Sequence, residues 1–149
     1  MIKIEDIIEE WEKDGEIDEI ALDDTTIHLA KIHSKYLGIH SQAKLLVRKL
    51  NLEIEILKKD KWLYYTGKMT QAEMDERGWP YDPFGGHNKP LKSELNYYIN
   101  ADADVQKIMA RIAYAEEKVE VVKEIMGNIR FKGNHIKNII EWRKFQSGV

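Results

Sequence analysis

The chain has 149 residues, enough to bury one core but short of two, and its 23 basic and 26 acidic side chains leave a formal net charge of −3. The absence of cysteine excludes a disulfide framework and any thiolate site, catalytic or metal-binding. No apolar run is long enough to span a membrane and no signal-type segment follows Met1, so a soluble intracellular protein is expected. Charged residues at 33%, against three prolines and nine glycines, favour helix over sheet, and the expected fold is a single, nearly all-α domain.

From Ile2 to Asp14, Ile4, Ile7, Ile8 and Trp11 recur at helical spacing while Glu5, Glu9, Glu10 and Glu12 cover the other side, which predicts a short amphipathic helix. Gly15 is expected to end it in a left-handed conformation. An acidic linker follows, with Asp24 or Thr25 as the expected cap of the next helix. Residues 1–24 carry a net charge of −9. That acidity reads as a solvated face, as a docking surface for a basic protein, or as a mimic of DNA charge.

Residues 26–66 contain no proline, and Leu29, Ile32, Tyr36, Ile39, Ala43, Leu46 and Leu50 step by three and four in strict alternation, a heptad seam. The seam shifts at Ile54 and Leu57, while Lys44, Arg48 and Lys58 project from other faces. Residues 25–68 sum to +6, and a phosphate strand meets the local field within a Debye length of roughly 8 Å rather than the total. This long helix ends in Leu57-Lys-Lys-Asp-Lys-Trp-Leu-Tyr-Tyr-Thr-Gly67. Lysines there suit phosphates, and aromatic faces suit unpaired bases, which makes Lys58, Lys59, Lys61, Trp62, Tyr64, Tyr65 and Lys68 the candidate DNA-binding residues. The plainer alternative makes Trp62 and Leu63 or Tyr64 ordinary core residues at the end of a long helix, with lysines on its wet side.

Residues 67–92 concentrate glycine and proline and are expected to form a loop, interrupted by a brief helix from Thr70 to Glu76 with a Thr70/Glu73 capping box. The stretch Trp79 to His87 must be irregular, and its aromatic residues predict an ordered loop packed on something, a neighbouring subunit being one option. A short helix through Leu95, Tyr98 and Ile99, with Ser93 as a cap, opens the segment 93–131. Asp102 or Asp104 then starts a second heptad helix on Val105, Ile108, Ile112, Ala115, Val119, Val122, Met126 and Ile129. Matching lengths predict an antiparallel helical hairpin. Gly127 and Gly133 are expected to weaken or end this helix, leaving residues 133–147 as a last amphipathic helix. Its Ile136, Ile139, Ile140, Trp142 and Phe145 are the candidate oligomerisation face, because such apolar surface favours self-association.

No phosphate-cradling glycine loop occurs, so no ATPase and no cofactor are expected. His28, His33 and His40 lack the spacing of a helical metal pair. An active site in the loop would have to be built from Asp82, His87 and Lys89.

The run Lys59-Asp60-Lys61-Trp62-Leu63-Tyr64-Tyr65-Thr66-Gly67 resembles the basic, Tyr-Tyr-Ser/Thr-Gly motif of the UvsY family of phage recombination mediators. Ile4-Glu5-Asp6, Ser34-Lys35-Tyr36-Leu37, His40-Ser41, Lys92-Ser93-Glu94-Leu95, Ala101-Asp102, Ile136-Lys137-Asn138-Ile139 and Trp142-Arg143-Lys144-Phe145 agree in order, so the resemblance covers nearly the whole chain. The loop from Trp79 to Lys89 departs from it by its length, and no function is carried onto it. The resemblance implies a non-enzymatic protein in the cytoplasm of an infected host cell. It implies a ring-like homo-oligomer, hexameric or heptameric, that binds single-stranded DNA, a RecA-like recombinase and the single-strand DNA-binding protein. By position, it puts DNA contacts on Lys59 and Lys61 and oligomerisation on Gly133 to Phe145. The alternative is a structural or DNA-packaging ring, similar to a small terminase subunit, without mediator activity.

Overall fold

The computed structural model describes residues 2–148, and among these it contains helices and no strand. Helix α1 spans Ile4–Asp14, α2 Leu22–Tyr65, α3 Gln71–Arg77, α4 Leu95–Ala101 after a 3-10 turn at Lys92–Glu94, and α5 Ala103–Gln146. The two heptad segments are α2 and α5, and every seam position named above is buried or half-buried. The chain divides into two compact units, Met1–Leu46 with Ala115–Val149, and Val47–Tyr114. Within each, residues of α2 and α5 share one core.

In the first unit Ile7 of α1 joins Leu29, Ile32 and Tyr36 of α2 and Val122, Ile125, Met126, Ile129 and Ile136 of α5 in one core. Trp11 meets the Tyr36 ring edge-on at 5.8 Å. The Tyr36 hydroxyl donates to Asp14 at 3.0 Å, and Lys35 bridges Asp14 at 2.7 Å and Glu10 at 2.8 Å, so part of the N-terminal acidity is neutralised inside this unit. Burial alone would raise the Asp14 carboxyl, but the hydrogen bonds from Lys35 and Tyr36 outweigh it and hold it below the usual carboxylate range.

Three local expectations change here. Gly15 is right-handed, φ −83°, and is needed for space instead: an added Cβ would lie 3.0 Å from the Trp11 ring and carbonyl and 3.1 Å from Lys132 Nζ. The start of α2 lies ahead of Asp24 and Thr25. Asp18 accepts the N–H groups of Ile20 (2.9 Å) and Ala21 (3.4 Å), and the Thr25 hydroxyl instead donates back to the Ala21 carbonyl. Finally, α5 runs through Gly127 and Gly133, because a helical glycine costs only about 1 kcal/mol and the buried Met126, Ile129 and Ile136 around them hold the helix in place.

The second unit is built around Ile54, Tyr64, Tyr65, Met69, Met74, Leu95, Ile99 and Val105. The Thr70/Glu73 box forms as expected, with Glu73 N–H on the Thr70 hydroxyl at 3.2 Å and Thr70 N–H on the Glu73 carboxylate at 3.1 Å. Asp102 caps α5, accepting the N–H of Asp104 at 2.9 Å. The aromatic loop folds onto this unit's own core. Trp79 packs on Tyr64 (ring centroids 5.1 Å apart), Phe84 on Tyr65 (5.8 Å) and Tyr98 (5.3 Å), and the Tyr64 hydroxyl donates to the Pro80 carbonyl at 2.7 Å.

Candidate nucleic-acid interface

The basic and aromatic end of α2 is sorted by the helix period into an inner and an outer set. Counting on from Leu57, the seam reaches Lys61 after four residues and Tyr64 after three more, and the structure buries both, together with Tyr65. Lys58 is half-buried, while Lys59, Trp62 and Lys68 are exposed. The seven residues thus share one helix end without sharing one face.

Lys61 is 3% exposed. Its ammonium lies 2.8 Å from Asp104, 3.1 Å from Asp102 and 3.7 Å above the Trp79 ring. Tyr65 donates to the same Asp102 carboxylate at 2.7 Å. Burial pushes Asp102 up, yet the bonds from Tyr65 and Lys61 prevail and its carboxyl sits below the ordinary range. Burial, then the bond to Asp102, raises the Tyr65 phenol. The sequence makes Lys61, Tyr64 and Tyr65 candidate DNA contacts; in the structure their polar atoms are bonded within the unit, the seam carrying Lys61 and Tyr64 inward with Tyr65 beside them. The clue was present: an Asp at 102, three residues before Val105 on the second seam, is the buried counter-charge for a Lys on the first.

Two glycine turns shape the outer surface. Gly67, at φ +74°, lets its own N–H reach the Tyr64 carbonyl (3.3 Å) and the Lys68 N–H reach Leu63 (2.9 Å), a closure that swings Lys68 back until its ammonium lies 4.4 Å from the Trp62 ring centroid. Gly78, at φ +69°, closes α3 in the same way and delivers Trp79 onto Lys61. Asp60 is held by Arg77 at 2.8 Å and lies 3.5 Å from Lys59, whose side chain remains 67% exposed.

Beside Trp62 opens a cavity of about 410 Å³, lined by Trp62, Thr66, Lys68, Lys89, Pro90 and Lys92 among others. Lys89 and Lys92 were not in the sequence-derived DNA set, since only the folded loop brings them to Trp62. The loop carboxylate Asp82 accepts the N–H groups of Phe84 (2.9 Å) and Gly86 (2.6 Å), bonds that hold its pKa below the usual carboxylate value and use it to close a turn. Of the expected oligomerisation face, Ile136 is already part of the first unit's core, Ile139 is half-buried, and Ile140, Trp142 and Phe145 are exposed.

A family model described as recombination, repair and ssDNA binding protein UvsY matches residues 10–149. The recombination protein uvsY of Enterobacteria phage T4 is 26% identical over 147 residues, covering 99% of each chain. Crystal structures of the bacteriophage T4 recombination mediator protein UvsY are similar to it, one at TM-score 0.80 and 24% identity over 99% of both chains. Another lattice type gives TM-score 0.80 and 26% identity over 95% of this chain and 98% of that one.

Proposed function

The chain belongs to the UvsY family, and from that premise we propose that it is a non-enzymatic recombination mediator, which binds single-stranded DNA and helps load a RecA-like recombinase onto strands covered by single-strand DNA-binding protein. The observation that supports this most is the outer surface at the end of α2, where Lys68 lies over a partly exposed Trp62 and Lys58 and Lys59 stand four and three residues before it on the same helix. These four residues touch the strand in this reading. Lys61, Tyr64 and Tyr65 hold the helix end that presents them.

The mechanism follows from repetition. Self-association through the exposed Ile140, Trp142 and Phe145 gives a ring-like homo-oligomer that offers many copies of one weak basic patch, and linked weak contacts hold a strand far longer than any one does. A strand bent along such a ring sheds its binding protein locally, and the recombinase filament starts on the bared segment. No helix among the described residues is long and apolar enough to cross a membrane, and the proposed place of action is inside the phage-infected host cell.

The test is the ATPase rate of the cognate recombinase on single-stranded DNA precoated with binding protein. Addition of this chain should raise it, and Lys58→Ala with Lys59→Ala should weaken strand binding and lower the log–log salt slope by about 1.4, roughly 0.7 per phosphate contact. No stimulation by the unaltered chain would refute the mediator reading. Preference for duplex DNA without stimulation would favour the packaging ring.

A further inference from the structure

The cavity beside Trp62 joins two parts of the chain. Trp62, Thr66 and Lys68 form one side, and Lys89, Pro90 and Lys92, from the stretch leading into the 3-10 turn, form the other. Three lysines line it and no acid does. The neighbouring Glu94 carboxylate accepts the Leu91 N–H at 3.0 Å. Convergent ammonium groups repel one another and concentrate positive potential in a cleft, so an anion entering there is favoured twice. Thr66 donates its hydroxyl to the Trp62 carbonyl at 2.6 Å, which leaves the lysines, the Asn96 amide and the indole as groups open to a ligand.

Lys68 lies over the indole ring, a contact between exposed groups that is weaker than the stacking of a nucleobase. A base sliding onto Trp62 would therefore displace the ammonium, which then becomes available to a phosphate. The space, about 410 Å³, is in the range of sites for one small ligand.

We propose that this cavity is a subsite for one unpaired nucleotide, its base stacked on Trp62 and its flanking phosphates held by Lys68, Lys89 and Lys92. It rests on the single-stranded DNA reading above and deepens it by naming what one position of the strand contacts. Paired bases cannot enter, so the subsite discriminates against duplex as well as adding affinity.

The experiment compares fluorescence anisotropy of a labelled oligothymidylate with that of an abasic strand of equal length, across a salt series. Trp62→Ala should weaken oligothymidylate binding about tenfold and leave the abasic strand within about twofold, with Trp62→Phe close to the unaltered chain. Lys89→Ala with Lys92→Ala should weaken both strands and lower the slope by about 1.4. Equal losses on both strands for Trp62→Ala would overturn the stacked base. Unchanged affinity and slope in the Lys89/Lys92 variant, with the Lys58/Lys59 variant still impaired, would overturn the subsite and leave the proposed function standing. Failure of the unaltered chain to bind either strand would overturn both.

Discussion

At Lys61 a cation is 3% exposed between Asp102 and Asp104. Removing one partner of a buried pair leaves the other desolvated and uncompensated, so Lys61→Ala should lower stability by about 3 kcal/mol. The pH dependence has a definite sign. The folded Asp102 carboxyl lies below its ordinary value of 3.8, so the stability it adds is present above that value and is lost as pH falls through the lower, folded one. Asp102→Asn should therefore lower the melting temperature at pH 7 and do so progressively less toward pH 3. An unchanged difference at pH 3 would show that packing or capping, not charge, is responsible. Binding separates the roles further: Lys61→Met, measured where it remains folded, should keep the salt slope of the unaltered chain. A fall of about 0.7 would put Lys61 on a phosphate after all.

Among the elements, glycine positions show how differently one residue type can be used. Gly67 has φ +74° with nothing within 4 Å of an added Cβ, so Gly67→Ala meets backbone strain of about 1 kcal/mol and loosens the turn that aims Lys68 at Trp62. Gly15 has an ordinary φ but no room, and Gly15→Ala should destabilise by crowding Trp11. Gly127 and Gly133 lie inside α5 with open space, so alanine at either should raise stability by about 0.5–1 kcal/mol. Thermal melts of the four variants check these opposed signs. Much of this level was legible beforehand. The three-and-four stepping from Leu29 to Leu50 and from Val105 to Ile129 announced α2 and α5, and the Thr70/Glu73 spacing announced α3. The inward turn of Lys61 follows from its seam position, which overrides the preference of a lysine for the surface. The groove with Lys89 and Lys92 could not be read at all, because it depends on how Trp79 and Phe84 dock a long loop onto the second unit's core.

For the whole molecule, a net charge of −3 coexists with +6 over residues 25–68, so in the proposed function strand binding rests on a local patch and on how many copies of it act together. One patch of a few lysines makes few phosphate contacts, and its affinity is correspondingly modest at physiological salt. Trp142 and Phe145 are exposed and stacked with ring centroids 5.6 Å apart, and in the proposed mechanism they supply the copies by self-association. Neither belongs to the core around Val122 and Ile129, so Trp142→Ala with Phe145→Ala should leave helix content unchanged while sedimentation shows a smaller assembly. Loss of linkage removes the effective-concentration gain, so affinity for a long single strand should fall by about 10²-fold or more. A strand only a few nucleotides long engages one patch at a time and should bind the double variant as it binds the unaltered chain. A double variant that kept both its mass and its long-strand affinity would move the oligomer contact away from this face, whereas one that lost mass but kept affinity would leave multivalency without a role.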